Sequence, residues 1–342
     1  MCTLLGDTAP TAEEWVAQGL DKYGVIAVIK SADGSRSDAA QVEKVSHATA
    51  TEMLGKLGNI GAVGPSLGSF SVSAHILKAL CEEYASELSA KTGKFDTDPH
   101  FWMPLTLSCD DYITLMKQKE VDEATSKTHH ARMTAMKAKF DTGDMGIFGA
   151  IDVGKAACWW DYGLIKLYSK NSLLVLEDSK DAELLHKFLG VTEKHIDSSL
   201  DGVTVDGVSR TFATKAKSGS ISTSVLSNVQ TSDIQVEGAI VVNCVAKSIK
   251  AGKGAILYNL VDDSDAGIVA GEGEVIVAVT DESGESMLLK SRMDIDGGKA
   301  WKQKLDMNEL SFEDVHKKNR DANIGEIEKK RAEKFNQVAA TL

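Results

Sequence analysis

Ser224-Val225-Leu226-Ser227-Asn228-Val229, Ile240-Val241-Val242-Asn243-Cys244-Val245 and Ile256-Leu257-Tyr258-Asn259-Leu260-Val261 are variations on one short apolar run. Each begins 16 residues after the one before it, and Gly238-Ala239 and Gly254-Ala255 lead into the last two. A short strand recurring at a fixed period predicts stacked rungs of a parallel β-helix. The competing reading is a small sandwich with coincidental similarity; the recurrence of Gly-Ala-Ile in register favours the β-helix. An ideal left-handed hexapeptide helix would repeat at about 18 residues, so these rungs are irregular.

Downstream of the repeats, Glu274 to Val279 and Ser286 to Lys290 flank Asp281-Glu282-Ser283-Gly284, the pattern of a hairpin. Ser311-Phe312-Glu313-Asp314 opens a helix. The end, Ile324 to Val338, reads as a charged helix whose few apolar residues pack on the β-helix end or on a partner chain.

Upstream the texture is different, with strand and helix patterns alternating as in an α/β domain. Thr11-Ala12-Glu13-Glu14 resembles a capping box. Tyr23 to Ile29 is a strand with a β-branched centre, Asp33-Gly34 a turn, and Gln41 to Val45 a second strand. Helices are expected over residues 48–56 and 74–89, and in the charged stretch 111–139. Ser66-Leu67-Gly68-Ser69-Phe70-Ser71-Val72 alternates like a strand, and Met145 to Val153 reads as another. The latter leads to Cys158-Trp159-Trp160-Asp161-Tyr162-Gly163-Leu164, read as a strand end, an acidic turn and a helix start. Asp161 then sits where open α/β sheets bind ligands, or else only caps the helix.

The 342 residues are enough for two or three domains, with 43% hydrophobic residues for a core. A net charge of −12 argues against general nucleic-acid binding, and no apolar run is long enough to span a membrane. Five scattered cysteines without a CxxC pair, and an N-terminus unlike a signal peptide, fit a reduced, cytoplasmic chain. The eight histidines show no metal-ligand spacing.

Four stretches, in order, resemble the sugar-1-phosphate nucleotidyltransferases that carry a C-terminal β-helix, such as ADP-glucose pyrophosphorylases. Tyr23-Gly24-Val25-Ile26 looks like that family's Tyr/Phe-Gly-Val strand, whose glycine lets the sugar lie against the backbone. Glu43-Lys44 looks like its Glu-Lys pair, in which Glu accepts sugar hydroxyls and Lys meets the phosphate. Ser66 to Phe70 is similar to the Gly-aromatic strand walling the sugar pocket, through Gly68. Trp160-Asp161-Tyr162-Gly163 is similar to the Trp-x-Asp-x-Gly turn whose Asp binds the catalytic magnesium.

The resemblance implies nucleotidyl transfer from a nucleoside triphosphate to a sugar 1-phosphate, releasing pyrophosphate, with Mg²⁺ as cofactor. It makes Lys44 and Asp161 catalytic, Asp161 a metal ligand, and Tyr23, Gly24, Glu43, Lys44, Gly68 and Asp98 substrate-binding. Asp98 lies in Asp96-Thr97-Asp98-Pro99-His100-Phe101-Trp102, a loop beside the acceptor pocket in the family or else a stiff connector. The family's glycine-rich triphosphate loop has no counterpart before Tyr23, so the chain is expected to supply the sugar-phosphate side. The alternative is a non-catalytic sugar-phosphate-binding, regulatory or assembly subunit. An acyltransferase built on the β-helix ranks lowest, because Ser220 to Asp263 contains no histidine base.

The expected architecture is an α/β chain: an incomplete Rossmann-like nucleotidyltransferase domain over residues 1–200, a parallel β-helix of left-handed type over 201–285, and a strand and helical extension over 286–342. Neither a nucleic acid nor a membrane is an expected partner, and a homo-oligomer through the β-helix is.

Overall fold

The computed structural model describes residues 2–3, 10–17, 20–30, 33, 37–58, 60–90, 101–140, 147–154, 158–191, 193–295 and 297–342. The chain divides into two compact units, Met1–Trp159 and Trp160–Leu342. The first is mixed helix and sheet; the second is a parallel β-solenoid with flanking helices.

In the first unit, in order, are β1 (Cys2–Thr3), α1 (Ala12–Ala17), β2 (Gly24–Lys30), β3 (Ser37–Glu43), α2 (His47–Gly55) and β4 (Ile60–Pro65). Then come α3 (Ala74–Glu83), α4 (Ala85–Ala90), α5 (Met103–Thr106), α6 (Cys109–Gln118), α7 (Glu123–Lys137) and β5 (Ile151–Asp152). The capping box at the start of α1 forms as the sequence predicts: Thr11 N donates to Glu14 Oε2 at 2.8 Å and Glu14 N to Thr11 Oγ1 at 3.2 Å.

The main sheet runs β3-β2-β4, and both pairings are antiparallel. Parallel pairing among the described residues of this unit is limited to the two-residue ladder of β1 with β5. Both faces of the sheet are covered. Val25, Ala27, Ala40 and Val42 pack with Trp15, Met53 and Tyr112, while Ile26 and Ala39 pack with Trp102, Met133 and Met136 on the other face. A strand buried on both faces needs a continuous apolar run, which is what Val25 to Ile29 provides.

Two strand expectations are corrected. Residues 67–73 form no strand; the third strand is Ile60–Pro65, just before them. Its sequence, Ile-Gly-Ala-Val-Gly-Pro, is poor in the residues that favour strands, and tertiary packing overrides that preference. The strand expected over residues 145–153 shrinks to Ile151–Asp152, with 141–146 outside the described residues.

The second unit opens with α8 (Ile165–Leu173), a 3₁₀ turn at Leu174–Leu176, and α9 (Lys180–Leu189). The solenoid follows: β6 (His195–Ile196), β7 (Val203–Val205), β8 (Arg210–Phe212), β9 (Lys215–Ser222), β10 (Val225–Glu237), β11 (Ile240–Ala251), β12 (Ile256–Tyr258), β13 (Ile268–Ala270) and β14 (Glu274–Thr280). β15 (Ser286–Arg292), α10 (Gly297–Ala300), α11 (Phe312–Asn319) and α12 (Ile324–Ala339) complete it.

Strands β6, β8, β10, β11, β12 and β14 stack in parallel to give about six turns. The repeat is therefore real, but its first step is 15 residues, not 16. Val225 pairs with Ile240, and Ile240 with Ile256. The inward column Leu226, Val241, Leu257 and Ile276 forms the apolar spine.

The turns of the solenoid are fixed by left-handed backbone at recurring corners. Asn228, Asn243 and Asn259 stand at φ of 52°, 52° and 57°, a region that asparagine tolerates better than most side chains. A second corner column uses Thr223, Gly238, Gly254 and Gly273, all at positive φ. Ser209 and Ser224 line a third, fully buried position: Ser209 Oγ accepts from Ser224 N at 3.1 Å, and Ser224 Oγ from Ala239 N at 3.0 Å.

The stack ends in the expected hairpin. β15 pairs antiparallel with β14, and α12 then lays Phe335 and Val338 against Val245 and Val261 on the solenoid flank. α11 begins at Ser311 with a full capping box closed by Asp314.

Candidate functional site

Tyr23, Gly24, Glu43 and Lys44 meet at one end of the β2–β3 hairpin. Gly24 is the cross-strand partner of Glu43, and Lys44 N donates to Tyr23 O at 3.1 Å. Gly24 O accepts from Ser66 N at 2.8 Å, which brings the Ser66–Gly68 turn to the same end. Five of the sequence-nominated residues thus come together within the first unit. Asp161 belongs to the second unit, and Asp98 lies outside the described residues.

Glu43 is 5% exposed, and Gln41, two residues earlier on the same face of β3, is 2% exposed. Gln41 Nε2 donates to Glu43 Oε1. Burying a carboxylate is costly unless donors surround it. The space for this one comes from Gly24. A Cβ there would collide with Glu43 Oε1 and lie 2.7 Å from Gln41 Nε2. The room over this glycine is filled by the chain's own carboxylate and amide. Gln41 did not stand out in the sequence; its only signal was a polar residue at an inward strand position among Ala39, Ala40 and Val42.

Lys44 is exposed and leaves the strand with φ of 54°, a left-handed turn that directs the chain into α2. Tyr23 is half-buried and meets the Trp159 ring edge-on, with centroids 5.1 Å apart. Gly68 is exposed at φ 69° in a turn whose N–H donates to Ser66 Oγ at 3.3 Å. No Cβ clash would arise there. It is a turn residue, not a strand position.

Asp161 does not end a strand, and it does not cap α8, whose N-cap is Leu164 without a side-chain hydrogen bond. Its Oδ1 accepts Gly163 N–H at 2.6 Å, and its backbone O accepts from Asn171 Nδ2 at 2.6 Å. The carboxylate shapes the turn that feeds α8. Among the described residues no group of three or more His, Cys, Asp or Glu is arranged to hold a metal. A Mg²⁺ ion at Asp161 would take its remaining ligands from phosphate oxygens and water.

Other titratable clusters are structural. Arg132 bridges Glu83 and Glu87 at 3.4 and 2.6 Å and lies over the Tyr84 ring, and its hydrogen bond holds the Glu87 carboxyl down at about 2. Burial pushes the Cys244 thiol up to about 12, so this solenoid cysteine is no nucleophile at neutral pH. No described helix is long and apolar enough to cross a membrane.

Comparison with known proteins gives no match: no family model, no curated protein and no solved structure matches this chain.

Proposed function

We propose that this chain binds a sugar 1-phosphate and serves as the acceptor side of nucleotidyl transfer. In that reaction a phosphate oxygen of the sugar 1-phosphate attacks the α-phosphorus of a nucleoside triphosphate. The bond to the departing pyrophosphate breaks as the new one forms. The observation that carries the reading is the hairpin end itself: a buried carboxylate seated over Gly24, with an exposed ammonium on the next residue. Glu43 would accept hydroxyl hydrogens from the sugar ring, Lys44 would neutralise its phosphate, and Tyr23 would wall the pocket. Mg²⁺ arriving with the triphosphate would offset the repulsion between the two anions, and the resemblance nominates Asp161 as a carboxylate ligand for it. The solenoid is the proposed assembly surface of a homo-oligomer.

Calorimetric titration with a panel of sugar 1-phosphates, with and without nucleoside triphosphate and Mg²⁺, tests this. Micromolar to millimolar binding of a sugar 1-phosphate that Glu43→Gln and Lys44→Ala each weaken about tenfold or more is the expected result. Absence of binding by any member of the panel overturns the reading. One observation favours the non-catalytic alternative: Asp161 Oδ1 accepts from Gly163 N–H, which gives the carboxylate a structural role of its own. Binding without pyrophosphate release in the presence of a triphosphate would select it.

A further inference from the structure

We propose that Gln41 is a specificity-determining residue of this site: it holds the Glu43 carboxylate over Gly24 and accepts, through its own Oε1, a hydrogen from a ligand hydroxyl. The inference rests on the sugar 1-phosphate reading and adds a residue to it.

The geometry is unusual for a core position. Gln41 lies opposite Ile26 in the sheet, with Ala39 and Ala40 before it on the same strand and aromatic and methionine side chains packed over that face. An apolar residue would fill such a place at no polar cost. Instead the amide donates to Glu43, and that contact fixes its orientation, because the reversed amide would set two oxygens against each other. The consequence is that, among the described residues, Gln41 Oε1 is buried with no hydrogen-bond partner. An orphaned buried carbonyl oxygen is costly unless a donor reaches it.

Two acceptors side by side, one of them unsatisfied, match a ligand edge that presents two donors. Vicinal hydroxyls of a pyranose are such an edge, with one hydrogen directed to Glu43 and the other to Gln41. Because Oε1 is buried in the unliganded chain, binding must open the cover over it while Nε2 keeps its contact with Glu43. Gly24 makes the pair possible: the nearest atoms to a methyl group there are the far ends of two flexible side chains, so Gly24→Ala should fold and yet displace the carboxylate.

The test is a titration of ¹⁵N-glutamine-labelled protein with glucose, galactose and mannose 1-phosphates and their monodeoxy analogues, followed by NMR and calorimetry. The Gln41 side-chain NH₂ signals, assigned by their loss in Gln41→Met, should shift on binding. Gln41→Met should weaken the parent ligand about tenfold, and one deoxy analogue should bind the variant and the wild type alike. Gly24→Ala should give a comparable loss, and Gln41→Asn serves if Gln41→Met fails to fold. Equal weakening of the parent and every deoxy analogue would mean that Gln41 only packs, overturning the inference while the acceptor reading stands. Unchanged Gln41 NH₂ signals at saturation would also overturn it. No binding of any sugar 1-phosphate to the wild type overturns both.

Discussion

Asn243 Nδ2 donates to Asn259 Oδ1 at 3.0 Å, one rung along the solenoid, while its own Oδ1 accepts from Asn228 Nδ2 at 3.0 Å. The three side chains form a ladder along one corner. Each also occupies left-handed backbone, so one residue type meets two demands, hydrogen bonding and conformation. Asn243→Ala removes both hydrogen bonds and places a Cβ-bearing residue without a compensating amide at φ 52°. The expected cost is about 2–4 kcal/mol. Asn243→Gly loses the ladder but relaxes the backbone, and about 1–2 kcal/mol is expected. Guanidinium unfolding of the two variants checks the order; equal costs would mean that the corner conformation carries no strain.

That ladder also shows what the sequence made legible. The recurrence of Asn228, Asn243 and Asn259 has steps of 15 and 16 residues, which are the structural steps. Aligning Ser224 with Ile240 instead put the first rung one residue out of register. In a strand, such a slip reverses every inward and outward side chain. The ending hairpin and the helix caps at Thr11 and Ser311 were legible because their signals are local. β4 was not, since its glycines carry little strand preference and only packing on β2 makes it a strand. At the site, Glu43 and Lys44 were legible as a dipeptide, but Gln41 was not. Its place depends on Gly24, the cross-strand partner of Glu43, over which its amide lies, and no short-range pattern links the two. The turn at Asp161 was read as acidic and tight, which it is, but the preceding strand ends at Asp152.

Asp206 gives the solenoid a pH dependence. Burial raises its carboxyl pKa, but hydrogen bonds from Ser209, Thr223 and Val208 outweigh that and hold it well below the usual carboxylate range. Ser209 N lies 2.7 Å and Thr223 N 2.6 Å from its oxygens. A depressed folded-state pKa adds stability that is fully present above the unfolded value of about 4 and is lost as pH falls through the folded value. Asp206→Asn should therefore lower the melting temperature at pH 7, and its difference from wild type should shrink steadily below pH 4. A difference that stays constant from pH 7 to 2 would rule out the charge as the source.

Asn308 closes the last strand. Its Oδ1 accepts from Lys290 N at 2.7 Å and its Nδ2 donates to Lys290 O at 2.9 Å, so a side chain does the work of a neighbouring strand at the outer edge of β15. An open edge invites another chain to pair with it. Asn308→Ala should leave both backbone groups without their partner, cost about 2–3 kcal/mol, and promote concentration-dependent association visible by sedimentation velocity. A variant that sediments like wild type at every concentration would show that the edge is protected by something other than Asn308.

Substitution of Asp161 can separate turn-making from the proposed metal role, because asparagine could replace the first and not the second. The amide oxygen of Asp161→Asn can still accept from Gly163 N–H, so the turn before α8 should persist and the melting temperature should stay within about 2 °C of wild type. Asp161→Ala removes that acceptor and should destabilise by about 1 kcal/mol. If Asp161 meets a metal-bound triphosphate, Asp161→Asn should lower pyrophosphate release at least a hundredfold while sugar 1-phosphate binding changes less than twofold. Loss of the charge would then act on the transfer step alone. If pyrophosphate release is unaffected by Asp161→Asn, or absent in the wild type while sugar 1-phosphate still binds, the residue is a turn-former and the chain is the binding subunit of the second reading.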